Sequence, residues 1–396
     1  MTIAAGKLDS EQVSTARRWA MLAASTCAQA ACAVVIHGPA FLIPVLHDER
    51  GMSLAGAGAL AAAPTIGVML TLVLWGLVVD RRGERFVLIT GLVGTTALGV
   101  ASTQVDSILV LAATLFLGGA FAASANSASG RVVVGWFPPE RRGLAMGIRQ
   151  MAQPVGVGVA AISIAVVADQ HGVATALWIP TIATALAAVA VLTVVLDPPR
   201  PDRTRVAAPN PYREDSFLPR VHGVSVLLVI PQFLVWTYAL VWLVQDLDWS
   251  PAAAGALVAS AQIAGAVGRI LAGQLSDMVG SRMTPLRWVA IAAAVSMLLL
   301  GLSASVESPI AAWLMVAATA ITVADNGLAF TAVAERAGPF WSGRALGAQN
   351  TAQFLAASAV PPVAGLAVTQ WGYPAIFAAS AVFPLIATVL VPVRDE

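Results

Sequence analysis

Runs of about 20 apolar residues recur along the entire chain, and this recurrence restricts the fold more than any other feature. A helix that crosses a bilayer needs about 20 mainly apolar residues. Such runs occupy residues 19–46, 55–79, 86–103, 107–135, 143–168 and 174–196, and then 221–244, 251–278, 286–303, 309–333, 343–368 and 373–393. Twelve transmembrane helices are therefore predicted, in an all-α membrane protein. Composition agrees, with 58% of residues in the set AVILMFWYC and only 11% charged, against about 25% charged in a soluble domain. A water-soluble fold cannot hide so much apolar surface, so lipid is the expected solvent for most of the chain.

The stretch from Asp197 to Arg220 holds six prolines and cannot span. It divides the chain into residues 1–196, a linker at 197–220, and residues 221–396, with six spans in each half. The first eighteen residues are polar, include Asp9 and Glu11, and end in Arg17-Arg18, which reads as an uncleaved start. Orientation follows from the basic residues. With the N-terminus in the cytoplasm, 19 of the 22 basic residues lie on that side, from Lys7, Arg17 and Arg18 through Arg200, Arg203, Arg205 and Arg394. Arg50 is the single basic residue outside, and Arg149 and Arg269 sit within spans. Both termini are thus expected in the cytoplasm of a multi-pass protein of the cell membrane.

Several function classes are set aside on composition. Lys7 is the only lysine and stands in no glycine-rich run, so there is no P-loop. Two cysteines, Cys27 and Cys32, are too few for a disulfide framework or a zinc site. A net charge of +1 argues against nucleic acid as partner. With no nucleophile–base pair, metal cluster or soluble catalytic domain, neither an enzyme nor a resident cofactor is expected. The expected partners are a small solute, protons and the bilayer, with the chain as a monomer.

The two halves repeat. The run GLVVDRRGER, from Gly76 to Arg85, returns as GQLSDMVGSR, from Gly273 to Arg282, at an offset of 197. The run GLAMGIRQMAQ, from Gly143, returns as GRALGAQNTAQ, from Gly343, at an offset of 200. The shared pattern Gly-x3-Asp-x2-Gly-x-Arg comprises Gly76, Asp80, Gly83 and Arg85, with Arg81 between, and then Gly273, Asp277, Gly280 and Arg282. Met278 replaces Arg81 in the second copy.

This pattern, after helices 2 and 8 of a repeated twelve-span chain, resembles the signature of the major facilitator superfamily. The resemblance covers the whole chain. It implies a transporter of two six-helix bundles working by alternating access about a mid-membrane site. It also implies that Gly76 and Gly273 allow close helix approach. Asp80 and Asp277 would then meet the positive N-termini of helices 11 and 5 and hold the cytoplasmic side shut.

Charge within a span is costly and marks candidate functional residues. Arg269 occupies the place where monocarboxylate and oxalate carriers of the superfamily have an arginine, and a guanidinium offers a carboxylate a bidentate fork. Arg149 on helix 5 is the second cation. Asp325 and Asn326 fall in helix 10, with Asn126 at the matching place in helix 4. Asp325 and His37 are the candidate proton carriers, with partnership to an arginine as the other reading of Asp325 and a structural role beside Gly38 and Pro39 as the other reading of His37. Gln232, Trp236 and Tyr238 on helix 7, with Gln353 on helix 11, are further candidate solute contacts. Helix packing is the alternative for the asparagines and for Gln153 and Gln353.

Drug–proton antiporters of the superfamily carry an arginine motif in helix 4 and a Gly-Pro motif in helix 5. Here helix 4 opens LAATLFLGGA, and Gln153 precedes Pro154. Nitrate carriers pair arginines in helices 2 and 8, whereas position 72 is leucine. The expected cargo is a small organic anion, with a proton-driven drug or metabolite exporter as the alternative.

Overall fold

The computed structural model describes residues 13–48, 51–52, 54–199 and 209–394. Lys7, Asp9, Glu11, Arg50, Arg200, Arg203 and Arg205 lie outside the described residues, as does the middle of the 197–220 stretch. The regular structure of the described residues is helical, without strands.

The crossing helices are α1 (Thr15–His37), α2 (Leu54–Arg82), α3 (Glu84–Ser102) and α4 (Ile108–Trp136). Next come α5a (Pro139–Gln150), α5b (Ala152–Ala176) and α6 (Trp178–Val194). The second half continues with α7 (Phe217–Gln245), α8 (Pro251–Val279) and α9 (Met283–Ser305). Helix α10 begins as Ile310–Thr322, stops, and resumes at Asp325. The long run Asp325–Ser380 is not one rod, because Gly338 and Gly372 carry φ of +68° and +76°. It ends α10 and then forms α11, residues 339–371, and the start of α12, which finishes as Val382–Leu390. With α5a and α5b counted as one interrupted crossing, the fold is the twelve-helix membrane architecture.

Interruptions fall inside several expected spans, at Gly38–Leu42 in the first and Ala381 in the twelfth, and two more bear on the site. Helix α5 breaks at Met151, and α10 breaks at Val323 and Ala324, so Asp325 opens a helix rather than lying in the middle of one. The repeat shows in the backbone as well. Gly83 and Gly280, the second glycines of the two motif copies, have φ of +104° and +70°. Only glycine takes that conformation without strain, and each ends a long helix so that the next can start within a few residues.

The chain divides into two compact units, each drawn mainly from one half of the sequence. Pro138–Gln150 goes with the second-half unit, and Ala337–Ala348 goes with the first-half unit. The first unit packs around Val34, Leu60, Leu111, Leu115 and Ile164. The second packs around Leu234, Trp242, Met297, Met315 and Phe377, with the Trp242 and Phe377 rings edge to face at 5.5 Å. Leu70, Ile162, Leu186, Ile263 and Val389 point outward. Exposed apolar side chains on this scale suit hydrocarbon, not water.

Candidate functional site

Each motif carboxylate is seated at a helix start. In the first unit, the backbone N–H groups of Gly343 and Arg344 donate to Asp80 at 2.9 and 3.2 Å. The Arg344 Nε donates to the same carboxylate at 2.8 Å, and the Arg131 Nη1 at 2.6 Å. Arg131 also pairs with Glu84 at 2.8 Å and donates to the Pro339 carbonyl at 2.7 Å. In the second unit, Gly143 and Leu144 donate backbone N–H groups to Asp277 at 2.9 and 2.8 Å. Arg282 pairs with Asp277 at 2.5 Å and with Glu335 at 3.4 Å, and Glu335 also takes Arg142 at 3.2 Å. Gly143 and Leu144 are the fifth and sixth residues of α5a, one turn in from its start, where the positive end of the helix dipole still favours a carboxylate.

The first motif glycines make this seating possible. A Cβ on Gly76 would lie 2.4 Å from the Gly343 carbonyl oxygen, and one on Gly273 would lie 2.1 Å from that of Gly143. Neither position tolerates a side chain without backbone movement.

Deeper in the second unit, one polar network joins five helices. Arg269, buried on α8, donates from Nη1 to the backbone carbonyl of Gln150 at 2.7 Å and from Nε to that of Val323 at 3.3 Å. Those carbonyls are exposed by the breaks in α5 and α10, and the C-terminal end of a helix attracts a cation. The Asn326 side-chain amide also donates to Val323 at 3.4 Å and to the Gln232 side-chain oxygen at 3.1 Å, and accepts from Gln353 at 3.0 Å. Arg149 joins through Gln150, donating to its side-chain oxygen at 2.7 Å, and lies over the Phe330 ring at 5.5 Å. Asp325 is buried at the break with both carboxylate oxygens enclosed and without a hydrogen-bond partner.

A family model of the Major Facilitator Superfamily matches residues 22–361. The chain belongs to the major facilitator superfamily. An uncharacterized MFS-type transporter of Mycobacterium tuberculosis, Rv2994, is 47% identical over 380 residues, 95% of this chain and 85% of the relative. A second relative from that organism, named as the probable nitrate/nitrite transporter NarK2, is 31% identical over 73% of this chain and 74% of its own. Among solved structures, the proton:xylose symporter XylE aligns with a TM-score of 0.77 at 17% identity, covering 95% of both chains. The human organic anion transporter MFSD10 aligns with a TM-score of 0.72, also at 17% identity, covering 96% of this chain and all of the other. At such identities the structural likeness concerns the fold.

Within this major facilitator transporter the two units carry related amide clusters. In the first unit, Gln29 on α1 donates to Asn126 on α4 at 3.2 Å and accepts from Ser129 at 2.7 Å. The pair Gln232 and Asn326 repeats this on α7 and α10. No local pattern marks Gln29 in the sequence, although Gln232 follows it at a spacing of 203. His37 ends α1 and meets the Gln153 side-chain nitrogen at 2.8 Å. On α7, Trp236 lies one turn from Gln232, with its indole N–H enclosed and unpartnered. Tyr238 turns away from this cluster, donating to the Pro361 carbonyl at 2.5 Å and packing beside Tyr373. Arg85 bonds the Leu192 carbonyl at 2.8 Å, and Arg81 is exposed. Arg131, which pairs with Asp80, and Glu335, which pairs with Arg282 and Arg142, stand at spacings from the motifs that carry no local pattern in the sequence.

Proposed function

We propose that this transporter moves a small organic anion by alternating access, with Arg269 as the group that receives its carboxylate. One comparison within the fold carries the reading. The repeat position of Arg269 is Leu72, and both pack against a helix through a glycine. A Cβ on Gly147 would lie 2.6 Å from the Arg269 carbonyl oxygen, and one on Gly347 would lie 2.8 Å from that of Leu72. The same interlock thus forms without an arginine, so packing does not account for the buried charge. Such a charge is expensive within a bilayer.

The guanidinium's two hydrogen bonds go to main-chain carbonyls, and no carboxylate pairs with it directly among the described residues. Its remaining N–H groups are available to a solute. The relative named for nitrate and nitrite gives support from an anionic cargo, and a single arginine without a partner at position 72 suits a carboxylate. Asn326, Gln232, Gln353 and Trp236 would supply neutral hydrogen bonds around it. The Asp80 and Asp277 seats would serve as the two halves of a cytoplasmic gate, with the arginine-rich loops inside the cell.

The test is equilibrium binding and proteoliposome uptake by the purified chain with lactate, oxalate and nitrate, against xylose and a lipophilic cation. Saturable uptake of an anion that fails in Arg269→Leu is expected. A neutral or cationic solute as the best substrate, with Arg269→Leu unimpaired, would overturn the reading in favour of the exporter alternative.

A further inference from the structure

Between α7, α11 and α12 of the second unit lies an apolar groove of about 430 Å³. Leu234 on α7, Val360 and Ala364 on α11, and Ala379 and Phe383 on α12 are among its walls. Ser380 is the one polar side chain lining it, and that hydroxyl donates to the Phe377 carbonyl at 2.7 Å. Water stays in such a space only where it finds two or more polar partners, so this groove is not a water site. Nor is it a packing defect, because helices that pack through their own side chains leave few voids larger than a water molecule. This space is roughly three times the ~150 Å³ apolar cavity that takes up benzene.

The internal repeat shows how the groove arises. Gly172 and Gly372 stand 200 residues apart with φ of +80° and +76°, which sets the register of α5b and α6 against α11 and α12. At that offset Ile164, Val167 and Ile179 pack in the core of the first unit. The second half has Ala364, Ala367 and Ala379 in their places. Ile164 is fully buried, and a Cβ on Gly38 would lie 2.5 Å from its Cδ1, so α5b closes directly onto the end of α1. Ile376 and Phe383 are larger than their mates Ala176 and Ala183, yet they line the groove without closing it. Three side chains that fill the first half are thus reduced to methyl groups at one place in the second.

We propose that one acyl chain of a membrane phospholipid occupies this groove and completes the packing of α7 against α11 and α12. The rim decides the occupant. Val363 and Val382 line the groove and are 64% and 48% exposed, and Leu385, Ile386 and Val389 continue that outward apolar face along α12. The opening therefore faces the hydrocarbon that surrounds those side chains. A lipid tail is as apolar as leucine, so it supplies the contacts that the missing isoleucine and valine side chains make in the first half. Each contact is small, but a chain held on three sides gains many of them at once. This role is independent of which solute the protein carries.

The experiment reconstitutes the purified full chain into phosphatidylethanolamine–phosphatidylglycerol vesicles holding a small share of phospholipid with a diazirine in one acyl chain. After irradiation, the labelled residues are mapped by mass spectrometry. Leu234 and Val360 are 2% and 8% exposed, so lipid that stays outside the groove does not reach them. Label on both is expected, together with label on outward residues such as Ile162 and Ile263. Ala364→Ile combined with Ala379→Ile restores the residues that the first half carries. It should lose the label at Leu234 and Val360 and keep it at Ile162. Wild-type protein labelled only at outward residues overturns the proposal, and that measurement needs no variant. Undiminished label at Leu234 in the filled variant overturns it as well. Label at Leu234 that a lipophilic cation displaces would make the groove a solute site instead of a lipid site.

Discussion

The backbone carbonyl of Gln150 accepts a hydrogen bond from Arg269 at 2.7 Å, tying the last residue of α5a to the middle of α8. Leu72, at the corresponding place on α2, packs against Gly347 without any such bond. Arg269→Leu should still insert, since the first half uses leucine there, but it leaves the Gln150 and Val323 carbonyls without this donor and should lower the melting temperature, at a cost of about 1–3 kcal/mol for each buried group. A charge-assisted hydrogen bond out of water is worth about 1.5–3 kcal/mol. Arg269→Lys, which keeps the charge and loses the planar fork, should weaken anion affinity by roughly ten- to a hundredfold. Titration calorimetry on both variants checks this, and unchanged affinity in either would remove Arg269 from the site.

Asp80 collects two backbone N–H groups and two arginines, so it holds the start of α11 more firmly than a surface ion pair could. Asp80→Asn should lower the transport rate while the protein remains inserted. Cysteines placed beside the Asp80 seat should become more reactive as the contact with the start of α11 loses about 1–3 kcal/mol. Thiol labelling rates provide the readout; equal labelling with normal transport would rule out a gate at this loop.

Gly76→Ala and Gly273→Ala place a methyl group against main-chain atoms at 2.4 and 2.1 Å. Backbone cannot swing aside as a side chain can, so each substitution should cost about 1–3 kcal/mol through overpacking. The melting temperature and the transport rate should fall together. Gly158→Ala is the control, because a Cβ there meets nothing within 4 Å.

Asn326 shares hydrogen bonds with Gln232, Gln353 and the Val323 carbonyl. Asn326→Leu alone leaves the buried Gln232 amide and the half-buried Gln353 amide without their partner, at about 1–3 kcal/mol. Combining it with Gln232→Leu should cost less than the sum of the single changes, with a coupling of about 0.5–3 kcal/mol. Thermal unfolding of the four proteins in one detergent measures that coupling, and strict additivity would mean the two amides do not act together.

Hydrophobic run lengths, arginine asymmetry and a repeated glycine–aspartate motif are local or periodic properties, and they determine the twelve helices and the family from sequence alone. The first motif glycines could be read as close-approach points because glycine is the residue that brings two backbones together. The break in α5 has a local cause, because Pro154 has no N–H to offer the Gln150 carbonyl four residues before it. TVAD around Val323 contains neither glycine nor proline, so nothing within it announces the interruption in α10. Those ends are satisfied from outside, by Arg269 donating to the carbonyls of Gln150 and Val323, residues 119 and 54 positions away. The pairing of Asp80 with Arg131, and the amides drawn in around Asn326, are likewise contacts between distant helices. Only the tertiary structure decided them, because a buried hydrogen bond depends on which helix faces come together, and run length and composition do not specify that.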